Sequence, residues 1–324
     1  MTILVTGAAG FIGFHTAIAL LERGDQVVGV DSLNDYYDVD LKKQRLKQLQ
    51  NYTNFAFEQF DIANAAFLDN IKKYQFESIV HLAAQAGVRY SLENPMAYGY
   101  ANLIGHMQML ELARNTACLR HFVYASSSSV YGSNEKLPFA VEDRVDHPMS
   151  LYAATKRADE LMSHSYAHLY DLPMTGLRFF TVYGPWGRPD MSAFLFTKAI
   201  LAGQEFPVFN QGLMKRNFSY IDDVVAGVIG CLDSPPGNGV NRLYNIGNDK
   251  TVELLDFIKC LEDKLQRTAK IRLEPIQPGD VPATLADISD ARADFGFDPK
   301  TDIGDGLTQF VEWYKAHYHN KEAA

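Results

Sequence analysis

"VTGAAGFIG" (5–13) sets Gly7, Gly10 and Gly13 between two apolar patterns of different period. The run "TILVT" (2–6) reads as a buried strand, and 11–23 reads as a helix. Glycines at such a joint let the chain turn tightly, let backbone approach an anion, and let helix pack on strand. The helix N-terminus that follows offers free N–H groups and a positive dipole end to phosphates. The spacing is GxxGxxG, and a glycine triplet alone also serves any strand-to-helix turn, so the surrounding sequence has to decide.

Working outward, further apolar runs follow at "QVVGV" (26–30), "FAFEQF" (55–60), "SIVHLA" (78–83), "HFVYAS" (121–126) and "MTGLRF" (174–179). Helical patterns lie between them near 63–74, 96–116 and 149–170. Nearly continuous apolar strands alternating with helices predict an α/β fold whose parallel sheet is covered on both faces. After about residue 180 the texture changes. Pro, Gly and aromatic residues cluster in "YGPWGRPD" (183–190), "GQEFPVFNQG" (203–212) and "DSPPGNG" (233–239). The expected organisation is a dinucleotide-binding domain over 1–178 and a smaller mixed α/β lobe over most of 179–324. Later segments such as 214–234 are expected to return to the first domain. "LTQFVEWYKAHYH" (307–319) reads as a closing amphipathic helix.

The 324 residues suffice for one large α/β domain or two modest ones. A net charge of −9 argues against nucleic acid or an anionic membrane as the main partner. Cys118, Cys231 and Cys260 are far apart and form no CxxC pair, which suits a reducing compartment. No signal-peptide pattern and no bilayer-length apolar run is read, so the expectation is a cytoplasmic protein without membrane contact.

Asp31 ends the second strand, eighteen residues after Gly13. An acid there accepts the adenosine ribose hydroxyls and repels a 2′-phosphate, which favours NAD over NADP. "SLYAATK" places Tyr152 and Lys156 four residues apart on one helical face. A free tyrosine, with a pKa near ~10, is too weakly acidic to act as a base at neutral pH. A neighbouring ammonium and a positive nicotinamide ring favour the phenolate. Tyr152 then exchanges a hydroxyl proton while hydride moves to or from the nicotinamide.

With these features in place, the chain resembles the extended short-chain dehydrogenases/reductases over nearly its whole length. The matching stretches are "TGAAGFIG" (6–13), "HLAA" (81–84), "SSSSVYG" (126–132), the Tyr152/Lys156 pair, "LRFFTVYGP" (177–185), "FSYIDDVV" (218–225) and "PGDV" (278–281). The resemblance implies a Rossmann-type doubly wound sheet and a Ser127–Tyr152–Lys156 catalytic triad. It implies NAD contacts from Phe11, Ile12, Asn34, Asp61, Ile62, Leu82, Ala83, Ala84, Asn102, Tyr152 and Lys156, besides the three glycines and Asp31. It also implies a nucleotide-sugar substrate held mostly by the C-terminal lobe. A homodimer through a four-helix bundle, built from the helices near 96–116 and 149–170, is implied as well.

Within that family, dehydratases carry Thr-Asp-Glu before Val-Tyr-Gly, the acid pair removing water, and decarboxylases usually keep a Glu just before that Val. Here Ser127, Ser128 and Ser129 occupy those positions. A 4-epimerase is the remaining expectation. "NDYYDVDLKKQRL" (34–46), "AAQAGVRYSLENP" (83–95), "TVYGPWGRPDM" (181–191) and "KRNFSYIDD" (215–223) together most resemble the UDP-glucuronate 4-epimerases. The alternatives are a 4-epimerase of neutral UDP-sugars, a UDP-glucuronate decarboxylase, and a non-catalytic NAD-binding regulator. Thr181 and Gln277 depart from the galactose-type pattern.

A 4-keto uronate loses CO2 when its carboxylate bond aligns with the ketone. Ser127, Ser128, Ser129 and Thr181 are therefore expected to cradle the carboxylate, since hydroxyls bind an anion without an acidic relay. That requires the chain to bend after Ser126. Arg188 and Arg89 are candidate anion contacts, and Arg216 matches the pyrophosphate arginine of the family. Phe209 and Asp280 complete the expected substrate set. His164 and His168 have an HxxxH spacing, but no third-ligand pattern accompanies them, and no metal is expected. His81 is read as packing, and "DYYD" (35–38) as a helix cap.

Overall fold

The computed structural model describes residues 1–277 and 280–322. Pro278 and Gly279 of the "PGDV" segment lie outside the described residues. Seven parallel strands form the central sheet. In chain order the first six are β1 (Thr2–Thr6), β2 (Gln26–Asp31), β3 (Phe55–Gln59), β4 (Ser78–His81), β5 (His121–Ser127) and β6 (Met174–Phe179). Across the sheet the order is Asn241–Ile246, β6, β5, β4, β1, β2, β3. The order reverses between β1 and β4, so the loops leaving those two strands diverge and open a crevice at the carboxyl edge. The strand Asn241–Ile246 pairs with β6 and was not among the strands read from the sequence. Its Arg242 and Asn245 interrupt the apolar run, and Asn245 is satisfied by Phe139 O, Asp287 O and the Tyr131 hydroxyl.

Buried aliphatic residues on both faces of the sheet explain its parallel arrangement. Helix α1 (Phe11–Glu22) starts directly from the glycine turn and buries Phe14, Ala17, Leu20 and Leu21. Helix α2 (Val39–Leu49) is capped by the Asp38 carboxylate, which accepts the Asp40 N–H. The helical pattern near 63–74 shortens to Phe67–Ile71. The pattern near 96–116 is interrupted: Pro95–Tyr98 and Gly105–Asn115 flank a π-helical turn, Gly99–Ile104.

The helix Leu151–Tyr170 is capped by Ser150 and carries Tyr152 and Lys156 in its first two turns. Helix Ile221–Asp233 packs against α1, while the short strand Phe218–Tyr220 pairs with Thr181–Tyr183. The closing helix spans Ile303–Glu322. No helix among the described residues is long and apolar enough to cross a membrane.

Candidate active site

A cleft of about 1250 Å3 opens along the carboxyl edge of the sheet. One end is built on the glycine turn. Gly7 has φ +72, a left-handed conformation open to glycine, and an added Cβ there would press on the Leu82–Ala83 backbone. At Gly13 a Cβ would run into the Gly7 carbonyl. The turn is thus held against both its own helix and the loop after β4. Asp31 Oδ2 accepts the Ala9 N–H at 3.1 Å, and Oδ1 accepts the Leu33 N–H at 2.9 Å. Burial pushes the Asp31 carboxyl above its ordinary range, opposed by these N–H bonds and by Lys42. Lys42 in turn donates to Asn34 through Nζ, 2.7 Å to the carbonyl and 2.6 Å to Oδ1.

Gly10, Phe11, Ile12, Asn34, Asp61, Ile62, Leu82, Ala83 and Ala84 line the same cleft with Gly7, Gly13 and Asp31. These residues suit a dinucleotide: glycines pressed on a helix N-terminus for the pyrophosphate, and an acid at the second strand's end for a ribose. Asn102 stands behind the wall. Its amide is spent on Gln85 N and O and on Thr155 Oγ1, so it braces the β4 loop against the Tyr152 helix.

Strand β5 runs through Ser127, and a 3-10 turn, Ser128–Tyr131, follows. The bend falls after Ser127, one residue later than the sequence reading required. Ser127 Oγ donates to Ser129 Oγ at 3.1 Å and accepts the Ser129 N–H at 3.2 Å. The turn therefore brings to one cleft successive serines that a straight strand would send to opposite faces. Ser127, Ser128 and Ser129 line the cleft together with Tyr152 and Lys156. Ser126 has a different task. Its hydroxyl donates to the buried Glu160 carboxylate at 2.6 Å.

Thr181, Arg89, Arg188, Phe209, Arg216 and Asp280 line the cleft as well. Their arginines are unequal. Arg188 gives Nε and Nη2 to Asp190, at 3.0 and 2.5 Å. Tyr36 donates to the same carboxylate at 3.1 Å. Arg188 thus enters the cleft already paired, which tempers its reading as an anion site. Arg89 lies over the Phe209 ring and within 3.8 Å of Asp280. Arg216 donates to the Lys215 and Pro282 carbonyls.

Sequence reasoning missed Asp190, although "RPD" carried an acid two residues from Arg188. It also missed Arg45. This residue is fully buried on α2 and donates to Ala9 O, the Tyr37 hydroxyl, Trp186 O and Gly187 O. It ties the glycine turn to the 185–190 segment, a contact between residues about 140 apart that no local pattern announces. His81 is buried and hydrogen-bonded to Thr6, and burial pulls it down to about 3.

The chain matches the family described as GDP-mannose 4,6 dehydratase over residues 4–310. It is 46% identical to a probable UDP-glucuronate 4-epimerase of Rhizobium meliloti, covering 98% of each chain. It is 48% identical to protein CapI of Staphylococcus aureus, covering 98% of this chain and 99% of that one. Its fold matches the crystal structure of UDP-glucuronic acid 4-epimerase from Bacillus cereus in complex with UDP-glucuronic acid and NAD. The TM-score is 0.91 at 34% identity, covering 98% of this chain and all of that one. Motifs, sheet order and these likenesses agree: the chain belongs to the GDP-mannose 4,6 dehydratase family of extended short-chain dehydrogenases/reductases.

Proposed function

We propose that this chain interconverts UDP-glucuronate and UDP-galacturonate by inverting C4 of the sugar. The chain is an isomerase of the epimerase type that uses NAD. The observation that carries the choice of reaction is the serine turn. Ser128 and Ser129 line the cleft with Tyr152 where a dehydratase needs carboxyl groups, so the site lacks the acid pair for removing water. The likeness to proteins described as UDP-glucuronate 4-epimerases supports the acidic sugar as substrate.

On this reading residues 1–178, with returning later segments, hold the cofactor, and most of 179–324 hold the nucleotide sugar. Bound NAD supplies a reversible hydride acceptor at C4. Tyr152 takes the proton of the 4-hydroxyl and returns it to the same oxygen once the keto sugar has turned its opposite face to the hydride donor. Ser127 hydrogen-bonds the same oxygen, and Lys156 stabilises the charge on Tyr152. Arg216 anchors the diphosphate while the sugar turns. Ser128, Ser129 and Thr181 hold the carboxylate out of alignment with the C4 ketone, which suppresses loss of CO2. A homodimer belongs to the same proposal, since Met96, Tyr100, Ile104, Leu161 and Leu169 stand exposed on the helices concerned.

The test is incubation of the purified protein with UDP-glucuronate, without added NAD, followed by NMR. Appearance of UDP-galacturonate is expected. Turnover of UDP-glucose alone would make it an epimerase of neutral sugars. Bound NAD with no turnover of any UDP-sugar would leave a regulator.

A further inference from the structure

Lys156 lines the cleft, and its ammonium is held there by oxygens of β5 and of its own helix. Its Nζ donates to Ala125 O at 3.0 Å and to Asp159 Oδ2 at 3.1 Å. Asp159 lies three residues further along the same helix and is wholly buried. Its second oxygen, Oδ1, is buried with no hydrogen-bond partner. A buried carboxylate left half-satisfied is costly, and a buried ion pair is seldom better for stability than apolar residues of the same size. The arrangement therefore asks for a role other than holding the fold together.

The groups that face the pair are few. Glu160 is adjacent on the helix, but Arg178 and Arg157 already engage it. Tyr124 approaches from β5, His81 from β4, and His106 from the helix Gly105–Asn115. Burial pulls both histidines far below their ordinary value, so they add no charge near neutrality. Burial also raises the Tyr124 phenol, which stays neutral too. Lys156, one helical turn along from Tyr152, is then the cation of this cluster, and Asp159 is its carboxylate partner.

We propose that Asp159 is a positioning residue acting through Lys156: it fixes the ammonium at the end of β5 and moderates the field that reaches the Tyr152 hydroxyl. The proposal rests on the reading of Tyr152 as the group that takes and returns a proton. An epimerase needs that proton back within each turnover. An unopposed ammonium would favour the phenolate and slow the return, whereas a counter-charge one bond away balances the two halves of the reaction. Burial pushes the Asp159 carboxyl up to about 7, with Lys156 opposing. Two groups coupled through one lysine release their protons in two linked steps.

Asp159→Asn keeps an acceptor oxygen and removes the charge. The phenolate absorbance that the wild type has and Tyr152→Phe lacks is titrated in the NAD-loaded protein, without substrate. The wild-type titration is expected to spread over two steps. In Asp159→Asn it should sharpen to one step, with its midpoint about one pH unit lower. The acid limb of kcat, measured with UDP-glucuronate, should move the same way while NAD stays bound. Titrations that coincide in the two proteins would overturn the proposal. If Asp159→Asn does not fold, Asp159→Ser, which takes less room, is read by the same titration. A wild type with no UDP-sugar turnover would sink the epimerase reading, yet the phenolate titration would still decide the part played by Asp159.

Discussion

Glu160 and Arg178 face each other across the back of the site, with both side chains 1% exposed. Arg178 Nε and Nη2 reach the two carboxylate oxygens at 2.8 and 3.0 Å. Ser126 and Arg157 complete the cluster. The pair joins the Tyr152 helix to β6 and so fixes the height of Tyr152 above the sheet. Glu160→Gln leaves Arg178 uncompensated in the interior and should cost roughly 3–5 kcal/mol. The double variant Glu160→Leu/Arg178→Met, which buries no charge, should recover much of that loss. Urea unfolding of both proteins checks this, and equal losses in the two would refute it.

The glycine turn gives a second prediction. Gly13→Ala places a methyl group against the Gly7 carbonyl, and the turn must move to relieve it. The overpacking should cost about 1–3 kcal/mol. Retained NAD per chain should fall by more than a factor of ~10, because the displaced turn no longer presents its N–H groups to the pyrophosphate. Circular dichroism and the NAD content of the purified protein measure the two effects separately.

Removing the two outer serines should change the product rather than the fold. In Ser128→Ala/Ser129→Ala the carboxylate loses hydroxyl donors during rotation of the keto sugar. Release of CO2 and of a UDP-pentose is expected, or else a raised KM for the uronate. Unchanged kinetics with no CO2 would sink the cradle. Ser127 is left in place, since its Oγ organises the turn through Ser129 N.

Four histidines should make the fold sensitive to acid. Burial lowers His15 and His121 to about 4 and His81 to about 3, and it takes His106 well below its ordinary value. Each folded value lies below the unfolded one. Their contribution is therefore fully present above about pH 6.5 and is lost as pH falls through the folded values. The loss approaches about 1.4 kcal/mol per pH unit for each group. Asp159, raised to about 7, works the other way and offsets part of it. The urea midpoint should decline steadily from about pH 6.5 towards 4.5. His121→Gln, remote from the cleft, should flatten the slope; a midpoint constant over that range would contradict the assignment.

Much of the site was legible in the chain because its signals are local. The glycine turn follows its strand within a few residues, Asp31 marks the end of the next strand, and Tyr152 and Lys156 share one helical face. Hydrophobic period and glycine spacing impose these short-range relations whatever the rest of the chain does. The serine run was legible as a departure from acid chemistry, but where it bends was not. The turn begins after Ser127 because β5 stays paired with β6 through Ser127–Phe179.

What only the tertiary structure decided are relations between distant segments. The strand Asn241–Ile246 joins the sheet despite its polar residues because Asn245 finds three partners from other parts of the chain. Arg188 reads as a free anion contact until folding brings it and Tyr36 to the Asp190 carboxylate. Asn102 reads as a cofactor contact, and only the fold shows that its amide also joins Gln85 to Thr155. Asp159 is an ordinary helix acid in the sequence, and burial beside Lys156 gives it weight. Polar groups acquire their roles from the partners and the dielectric that packing supplies. Spacing along the chain encodes neither.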